Sequence, residues 1–178
     1  MKSLTLLRHA KSGWDDPVVR DFDRPLNPRG RRAARAVGAE MKAQGLAFDL
    51  VIASPARRVA ETLEEVAGSY GALRPDYDQR LYLASAATLL DLVRNAADAA
   101  GRLLIVGHNP GLEELALRLT RSDGDRLRGE VEVKYPTGTV AEIELPAERW
   151  SQVREGTGRL VRFIRPRDLD PELGPDSE

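Results

Sequence analysis

Cysteine is missing from all 178 residues of the sequence. Its absence excludes disulfide bonds, a thiolate nucleophile and metal sites built from cysteine ligands. Any covalent catalysis by this chain must therefore use another nucleophile.

Long apolar runs are also missing. The first residues lead directly into the run Leu4 to Leu7, which is much shorter than the apolar core of a signal peptide or a membrane span. The formal net charge is −1 and aromatic residues make up 5% of the chain, so neither a basic surface nor an aromatic platform for nucleic acid is indicated. We expect a soluble, cytoplasmic protein that binds neither nucleic acid nor membranes.

The apolar runs that are present predict two kinds of β-strand. Continuous runs predict strands covered on both faces, as in a parallel sheet: Leu4 to Leu7, Asp49 to Ala53 and Leu103 to Val106. Alternating segments predict half-exposed, antiparallel strands: Val131 to Val133, Thr139 to Leu145 and Arg159 to Ile164. With amphipathic helices between them, this order favours a single three-layer α/β/α domain, whose mostly parallel central sheet has antiparallel strands toward the C-terminus.

The predicted helices repeat one starting device, a capping side chain followed by proline. It occurs at Asn27-Pro28, Ser54-Pro55 and Asn109-Pro110. The helices would extend over residues 28–44, 55–71, 85–101 and 110–119. Two of them follow their strands with almost no loop, so their N-terminal amide groups would point to one edge of the sheet and favour an anion there.

The only two histidines, His9 and His108, each follow a predicted strand. Open α/β sheets build their sites at this edge. A single histidine at a strand end is more often hydrogen-bonded to backbone than catalytic, but the neighbouring Arg8 favours a functional role because a guanidinium group there needs an anion. Phosphoryl transfer uses these residue types, with a neutral imidazole as nucleophile and arginines to hold the charge.

Three motifs resemble those of the histidine phosphatase superfamily, which includes the phosphoglycerate mutase-like enzymes. Arg8-His9-Ala10 resembles its Arg-His-Gly signature, residues 54–62 resemble its Ser-Pro-x-x-Arg-Ala-x-x-Thr segment, and Gly107-His108-Asn109 resembles its second histidine motif. The resemblance spans residues 3–165 and implies a phosphoglycerate mutase-like fold for a domain of residues 1–165. Residues 166–178, rich in Pro, Asp and Glu, are expected to be poorly ordered.

Within the superfamily, residues 8–12, 23–27 and 107–111 most resemble the SixA-like branch, whose members are regarded as protein phosphohistidine phosphatases. The resemblance implies that His9 is the nucleophile and that Arg8, Arg58 and His108 bind the phosphoryl group. Arg57 is adjacent, but the family pattern places its arginine four positions after the serine, which selects Arg58. Further candidates for substrate binding are Lys11, Ser12 and Asn109, although Lys11 could equally be a solvated rim residue and Asn109 a helix cap.

No general acid carries over from the resemblance. Asn109 follows His108 where some superfamily phosphatases have an acidic residue, and residues 80–83 lack the glutamate of the mutases. Residues 12–25 are expected to form a loop over the site, and its four carboxylates remain candidates, each expected to be solvated or paired with Arg24: Asp15, Asp16, Asp21 and Asp23. The imidazole released from a phosphohistidine can be protonated by solvent, so the missing acid favours phosphoramidates or activated esters over sugar phosphates.

These features predict a metal-independent phosphatase without a cofactor, which acts through a phosphohistidine on His9 and takes protein phosphohistidine as substrate. The alternatives are a small-molecule phosphomonoesterase or mutase, and a non-catalytic module that binds phosphate or phosphoproteins. Phosphate, sulfate and vanadate would be ligands of the site. Asp123-Gly124-Asp125 lacks the remaining ligands of a calcium loop and is predicted to be a turn.

Overall fold

The computed structural model describes residues 1–13, 16–17, 19–123 and 125–174. Trp14, Asp15 and Val18 of the predicted loop, Gly124 of the predicted turn and residues 175–178 lie outside these ranges. The strands are β1 (Lys2–Arg8), β2 (Leu50–Ala53), β3 (Asp76–Tyr77), β4 (Arg102–Gly107), β5 (Val140–Leu145) and β6 (Arg159–Ile164). The helices are α1 (Pro28–Ala43), α2 (Arg57–Tyr70), α3 (Ala86–Arg94), α4 (Gly111–Leu119), α5 (Arg126–Val133) and α6 (Pro166–Leu169).

The strands form one sheet in the order β3-β2-β4-β1-β5-β6. The first four strands in this order pair in parallel, whereas β5 is antiparallel to both β1 and β6. Along β1, Leu6 packs into the core beneath α3, α4 and α5, and its neighbour Leu7 packs into the core beneath α1 and α2. The predicted three-layer α/β/α fold, with antiparallel strands toward the C-terminus, is confirmed.

The prediction of a strand at residues 131–133 is wrong, because these residues end helix α5. Its start is capped by the Asp125 side chain, which accepts from the amide of Leu127 at 2.8 Å. Val131 is 1% exposed and Val133 is 82% exposed. Residues two apart in a helix differ by about 200° in direction, so one is buried and one exposed, whereas in a strand both would lie on the same face. Alternation over three residues was too short to distinguish the two.

Of the three predicted cap-proline starts, only Asn27-Pro28 begins its helix as expected, with the Asn27 side chain accepting from the amide of Gly30 at 2.7 Å. The other two helices begin later, α2 at Arg57 and α4 at Gly111. The helix predicted over 85–101 ends at Arg94. The displaced starts have a functional consequence, because they leave Ser54 and Asn109 in turns beside the histidines.

The start of the C-terminal segment is folded, contrary to the expectation for residues 166–178. It forms α6 and a short 3-10 helix, Pro171–Leu173. Arg29 donates a hydrogen bond to the carbonyl of Gly174 at 2.9 Å, which ties the segment to the start of α1. Composition alone does not reveal such a tertiary contact. In the described ranges, no helix is long and apolar enough to cross a membrane.

The close approach of α1 to the loop after β1 yields a stability prediction. A Cβ atom at Gly30 would lie 2.1 Å from the carbonyl oxygen of Lys11. Gly30→Ala should therefore lower the free energy of unfolding by about 2 kcal/mol or more, measured by urea denaturation.

Gly68→Ala is the matched control, because Gly68 is also helical but a Cβ there would meet nothing within 4 Å. It should raise the free energy of unfolding by about 0.5–1 kcal/mol through helix propensity. Equal effects of the two substitutions would contradict this account of Gly30.

Candidate active site

The candidate site lies where three parallel strands end at the same edge of the sheet. His9 follows β1, Ser54 follows β2 and His108 follows β4. A cavity of about 450 Å³ opens at this edge. The described residues that line it are Arg8, His9, Ser12, Asp21, Arg24, Arg58, Leu83, His108, Asn109 and Thr137.

His9 is held with one ring nitrogen directed into the cavity. Its Nδ1 lies 2.7 Å from the carbonyl oxygen of Ala10, which can only accept, so Nδ1 carries the proton. Nε2 then carries the lone pair and accepts a hydrogen bond from Nε of Arg58 at 3.4 Å. Burial lowers the pKa of His9 well below its usual value; the hydrogen bond to Ala10 raises this pKa, but the charges of Arg58 and Arg8 lower it further. His9 is therefore neutral at physiological pH.

Arg58 occupies the centre of the site and is 2% exposed. Its Nη1 donates to the backbone carbonyl of Asp21 at 2.7 Å, and Nη2 lies 3.1 Å from the Asp21 carboxylate and 3.3 Å from Nδ1 of His108. The neighbouring Arg57 has a side chain that is 55% exposed and pairs with Glu61. The structure thus brings together His9, Arg58 and His108 and leaves Arg57 outside.

The contacts of His108 define its protonation. Its Nε2 lies 2.8 Å from the hydroxyl of Ser54, while Nδ1 receives a hydrogen bond from Arg58. Burial and the charge of Arg58 lower the pKa of His108 to about 3, so the ring is neutral. In this state Nδ1 is an acceptor. His108 can donate from Nδ1 to a phosphoryl oxygen only after it gains a proton, which the negative charge of a bound phosphoryl group would favour.

Asp21 is a site residue that the sequence did not single out from the other loop carboxylates. It accepts hydrogen bonds from the Tyr82 hydroxyl at 2.5 Å and from Arg24 Nε at 3.1 Å, and it pairs with Arg58. Partial burial opposes ionisation, but the hydrogen bond from Tyr82 and the charge of Arg58 prevail and lower the pKa of Asp21 to about 2. The spacing of Asp21 three residues before Arg24, on a short 3-10 turn, was the only sequence signal for this role.

A second group of contacts fixes the loops that carry these residues. The hydroxyl of Thr62 accepts from the amide of Ala10 at 2.9 Å and donates to the carbonyl of Arg58 at 2.6 Å. On the other side, Arg8 and Asn109 both donate to the carbonyl of Tyr135, at 2.9 and 3.0 Å. The turn after β1 is thereby joined to α2 and to the segment before β5.

The candidate substrate-binding residues divide into two kinds. Ser12 and Asn109 line the cavity, and Ser12 accepts a hydrogen bond from Arg24. Asn109 also accepts from the amide of Glu113 at 3.3 Å, as expected for a residue at a helix start. Lys11 is not among the described lining residues, and its backbone packs against Gly30. In the described ranges, no three acidic or histidine side chains are grouped so that they could hold a metal ion.

Comparisons with known proteins agree with this geometry. Residues 4–82 match the model of the histidine phosphatase superfamily, branch 1. The uncharacterized protein Rv1276c of Mycobacterium tuberculosis is 36% identical over 163 residues, which cover 90% of this chain and 100% of that protein.

Two solved structures are also similar. A Nakamurella protein assigned as the phosphohistidine phosphatase SixA superposes with a TM-score of 0.81 and 28% identity, covering 93% of this chain and 96% of that one. The protein histidine phosphatase SixA complexed with tungstate has a TM-score of 0.73 and 21% identity, with coverages of 94% and 99%. The second likeness is evidence for the fold.

The lowered histidine pKa values predict a pH-dependent stability. Below pH about 6.5 an unfolded histidine binds a proton that folded His108 does not, so the free energy of unfolding falls as the pH falls. Between pH 6.5 and 5, His108 should contribute about 1.5 kcal/mol of this loss. His108→Asn removes the titrating group, so its stability should depend less on pH by that amount in urea denaturation at the two pH values. An unchanged pH dependence would contradict the assignment of a neutral, buried His108.

Proposed function

This chain belongs to the histidine phosphatase superfamily, and within it to the SixA-like branch, and we propose that it is a phosphatase that hydrolyses phosphohistidine in proteins. The observation that carries the proposal is the orientation of His9. Its protonated Nδ1 is tied to the Ala10 carbonyl, and its Nε2 faces the cavity beside Arg58. A nucleophile and a cationic cradle therefore converge on one point, as phosphoryl transfer requires.

The first step would transfer the phosphoryl group to His9. The lone pair of Nε2 forms a bond to phosphorus while the bond between phosphorus and the substrate's imidazole nitrogen breaks. The electron pair of that bond stays on the leaving imidazole, which takes up a proton. Arg58 and Arg8 hold the charge of the phosphoryl oxygens during the transfer. In the second step water attacks phosphorus, releases inorganic phosphate and regenerates neutral His9.

Asp21 is our candidate for the residue that supplies the proton. Its carboxylate is ionised while it pairs with Arg58. A phosphoryl group that binds to Arg58 places a second negative charge beside the same guanidinium, and this charge raises the pKa of the carboxyl group. Asp21 would then take up a proton on substrate binding and deliver it to the leaving group.

The residues that line the cavity could bind phosphoryl oxygens, and they would serve a small-molecule phosphatase as well as a protein phosphatase. A mutase must retain and reorient its phosphorylated intermediate, and a binding module has no need of a neutral histidine with a directed lone pair. The measurement that distinguishes the three functions is therefore which phosphorylated substrates the protein hydrolyses.

The test of the mechanism is the replacement of the nucleophile. We expect His9→Ala to reduce phosphate release from a phosphohistidine protein by at least about 10³-fold, because the substitution removes the imidazole whose lone pair attacks phosphorus. Rapid quenching of the wild-type enzyme should trap an acid-labile phosphoryl label that the variant lacks, and vanadate should inhibit.

The substrate panel sets the phosphohistidine protein against sugar phosphates, phosphotyrosine and p-nitrophenyl phosphate. Turnover of phosphoglycerates far above the phosphohistidine protein would overturn the proposed substrate class. Full activity retained by His9→Ala would overturn the mechanism itself.

Asp21→Asn tests the proton donor through the leaving group. Asparagine keeps the size and a hydrogen bond but cannot give up a proton. We expect kcat for phenyl phosphate, whose leaving group needs a proton, to fall about 10²-fold, and kcat for p-nitrophenyl phosphate to fall much less. Equal losses on the two esters would show that Asp21 only positions Arg58.

A further inference from the structure

We propose that Leu83 is an apolar contact for the polypeptide that carries the phosphohistidine, and that it makes the enzyme prefer phosphoproteins to small phosphates. The inference rests on the proposed function and names the substrate feature that the rim of the same site would recognise. Among the described residues that line the cavity, Leu83 is the only one with an apolar side chain. It is 56% exposed.

The backbone of Leu83 is unusual. Its φ angle is 51°, and it is the only residue other than glycine with a positive φ in the described ranges. Leucine disfavours this left-handed conformation because its Cβ approaches the backbone, and glycine or asparagine would adopt it more easily. Strained residues of this kind cluster at functional sites.

Neighbouring contacts hold Leu83 in this position. The preceding Leu81 is 1% exposed and anchors the turn in the core. Tyr82 binds Asp21 through its hydroxyl and packs edge-on against the ring of His108, with the ring centroids 5.5 Å apart. On the following side, the Ala84 carbonyl oxygen lies against Gly111 so closely that a Cβ there would be 2.1 Å away. These contacts hold the backbone on both sides of Leu83, whose side chain lines the cavity.

The location of this turn indicates what Leu83 would meet. The turn belongs to the segment between β3 and α3. In that segment the amide of Asp78 donates to the carbonyl of Ala53, the last residue of β2, at 2.9 Å. This hydrogen bond places the segment at the edge of the sheet where the parallel strands end. Inorganic phosphate and sugar phosphates offer no apolar group at this rim. A phosphohistidine in a folded protein brings neighbouring side chains with it, and an apolar one beside it would bury Leu83 on binding.

The experiment compares Leu83→Asn with Leu83→Met. Asparagine has similar size, tolerates positive φ and removes the apolar contact, whereas methionine keeps it. For a phosphohistidine protein we expect Leu83→Asn to lower kcat/KM about tenfold, mainly through KM, and Leu83→Met to stay within about twofold of the wild type. The ratio of kcat/KM for the phosphohistidine protein to kcat/KM for phosphoramidate, a small N–P compound without an apolar group, should fall about tenfold in Leu83→Asn and stay within about twofold of the wild type in Leu83→Met. The thermal midpoint of Leu83→Asn should equal or exceed that of the wild type.

Tyr77→Ser is the matched control, because Tyr77 is 50% exposed at the end of β3, directly before that segment, but is not among the described residues that line the cavity. It should leave both substrates unaffected. Unchanged kinetics of Leu83→Asn on the phosphoprotein, or equal losses on both substrates, would overturn the inference. If the wild-type enzyme turns over p-nitrophenyl phosphate through His9 but not the phosphohistidine protein, the proposed substrate class fails, and this inference fails with it.

Discussion

The buried positive charge of Arg58 is the constraint around which the rest of the site is arranged. A guanidinium group that is 2% exposed requires a negative or polar partner on every side. In this structure Asp21 supplies both its carboxylate and its backbone carbonyl, and the ring nitrogens of His9 and His108 lie at 3.3–3.4 Å. Burial, reinforced by this charge, lowers the pKa of both histidines and keeps them neutral. In the proposed mechanism one residue thus attracts the phosphoryl group and helps to preserve the lone pair that attacks it.

This arrangement makes proton movement a consequence of binding. His108 and Asp21 both have pKa values far below the physiological range, so His108 is neutral and Asp21 is ionised. A phosphoryl dianion beside Arg58 would raise both pKa values. Its negative charge stabilises the protonated, cationic form of His108 and destabilises the ionised form of Asp21. In the proposed mechanism His108 then becomes a donor to the phosphoryl oxygens, and Asp21 becomes the acid. A site of this kind needs no permanently protonated carboxyl group to deliver a proton.

The sequence predicted the fold well because its signals were strong and local. Continuous apolar runs such as Leu103 to Val106 have one physical explanation in a chain of this size, a strand buried on both faces, and the structure agrees. Cap-proline pairs were weaker signals, because proline restricts its own φ but does not require that a helix begin there. At Ser54 the side chain contacts His108, and α2 begins only at Arg57. Tertiary contacts displaced the helix start.

The candidate site, like the fold, could be predicted from the sequence only in part. Resemblance to the family motifs placed His9, His108 and Arg58 together, and the geometry agrees, because His9 and His108 directly follow β1 and β4, and Arg58 lies in the first turn of α2, the helix that follows β2. Asp21 could not be singled out, since four carboxylates share one loop without periodicity. Its role depends on Tyr82, which is 61 residues away in the sequence and whose contact with Asp21 only the folded chain reveals.

The division between the depth and the rim of the cavity explains why the motifs identify a reaction but not a substrate. In the proposed mechanism the buried groups His9, Arg58 and His108 contact the phosphoryl group, which is common to every phosphorylated compound. Under the same proposal, discrimination depends on residues that meet the leaving group, and Leu83, an exposed residue of the cavity lining, lies on the segment after β3. The strained backbone at Leu83 is held by contacts to the catalytic residues themselves. A change of substrate could thus arise in this segment while the chemistry below it stayed the same.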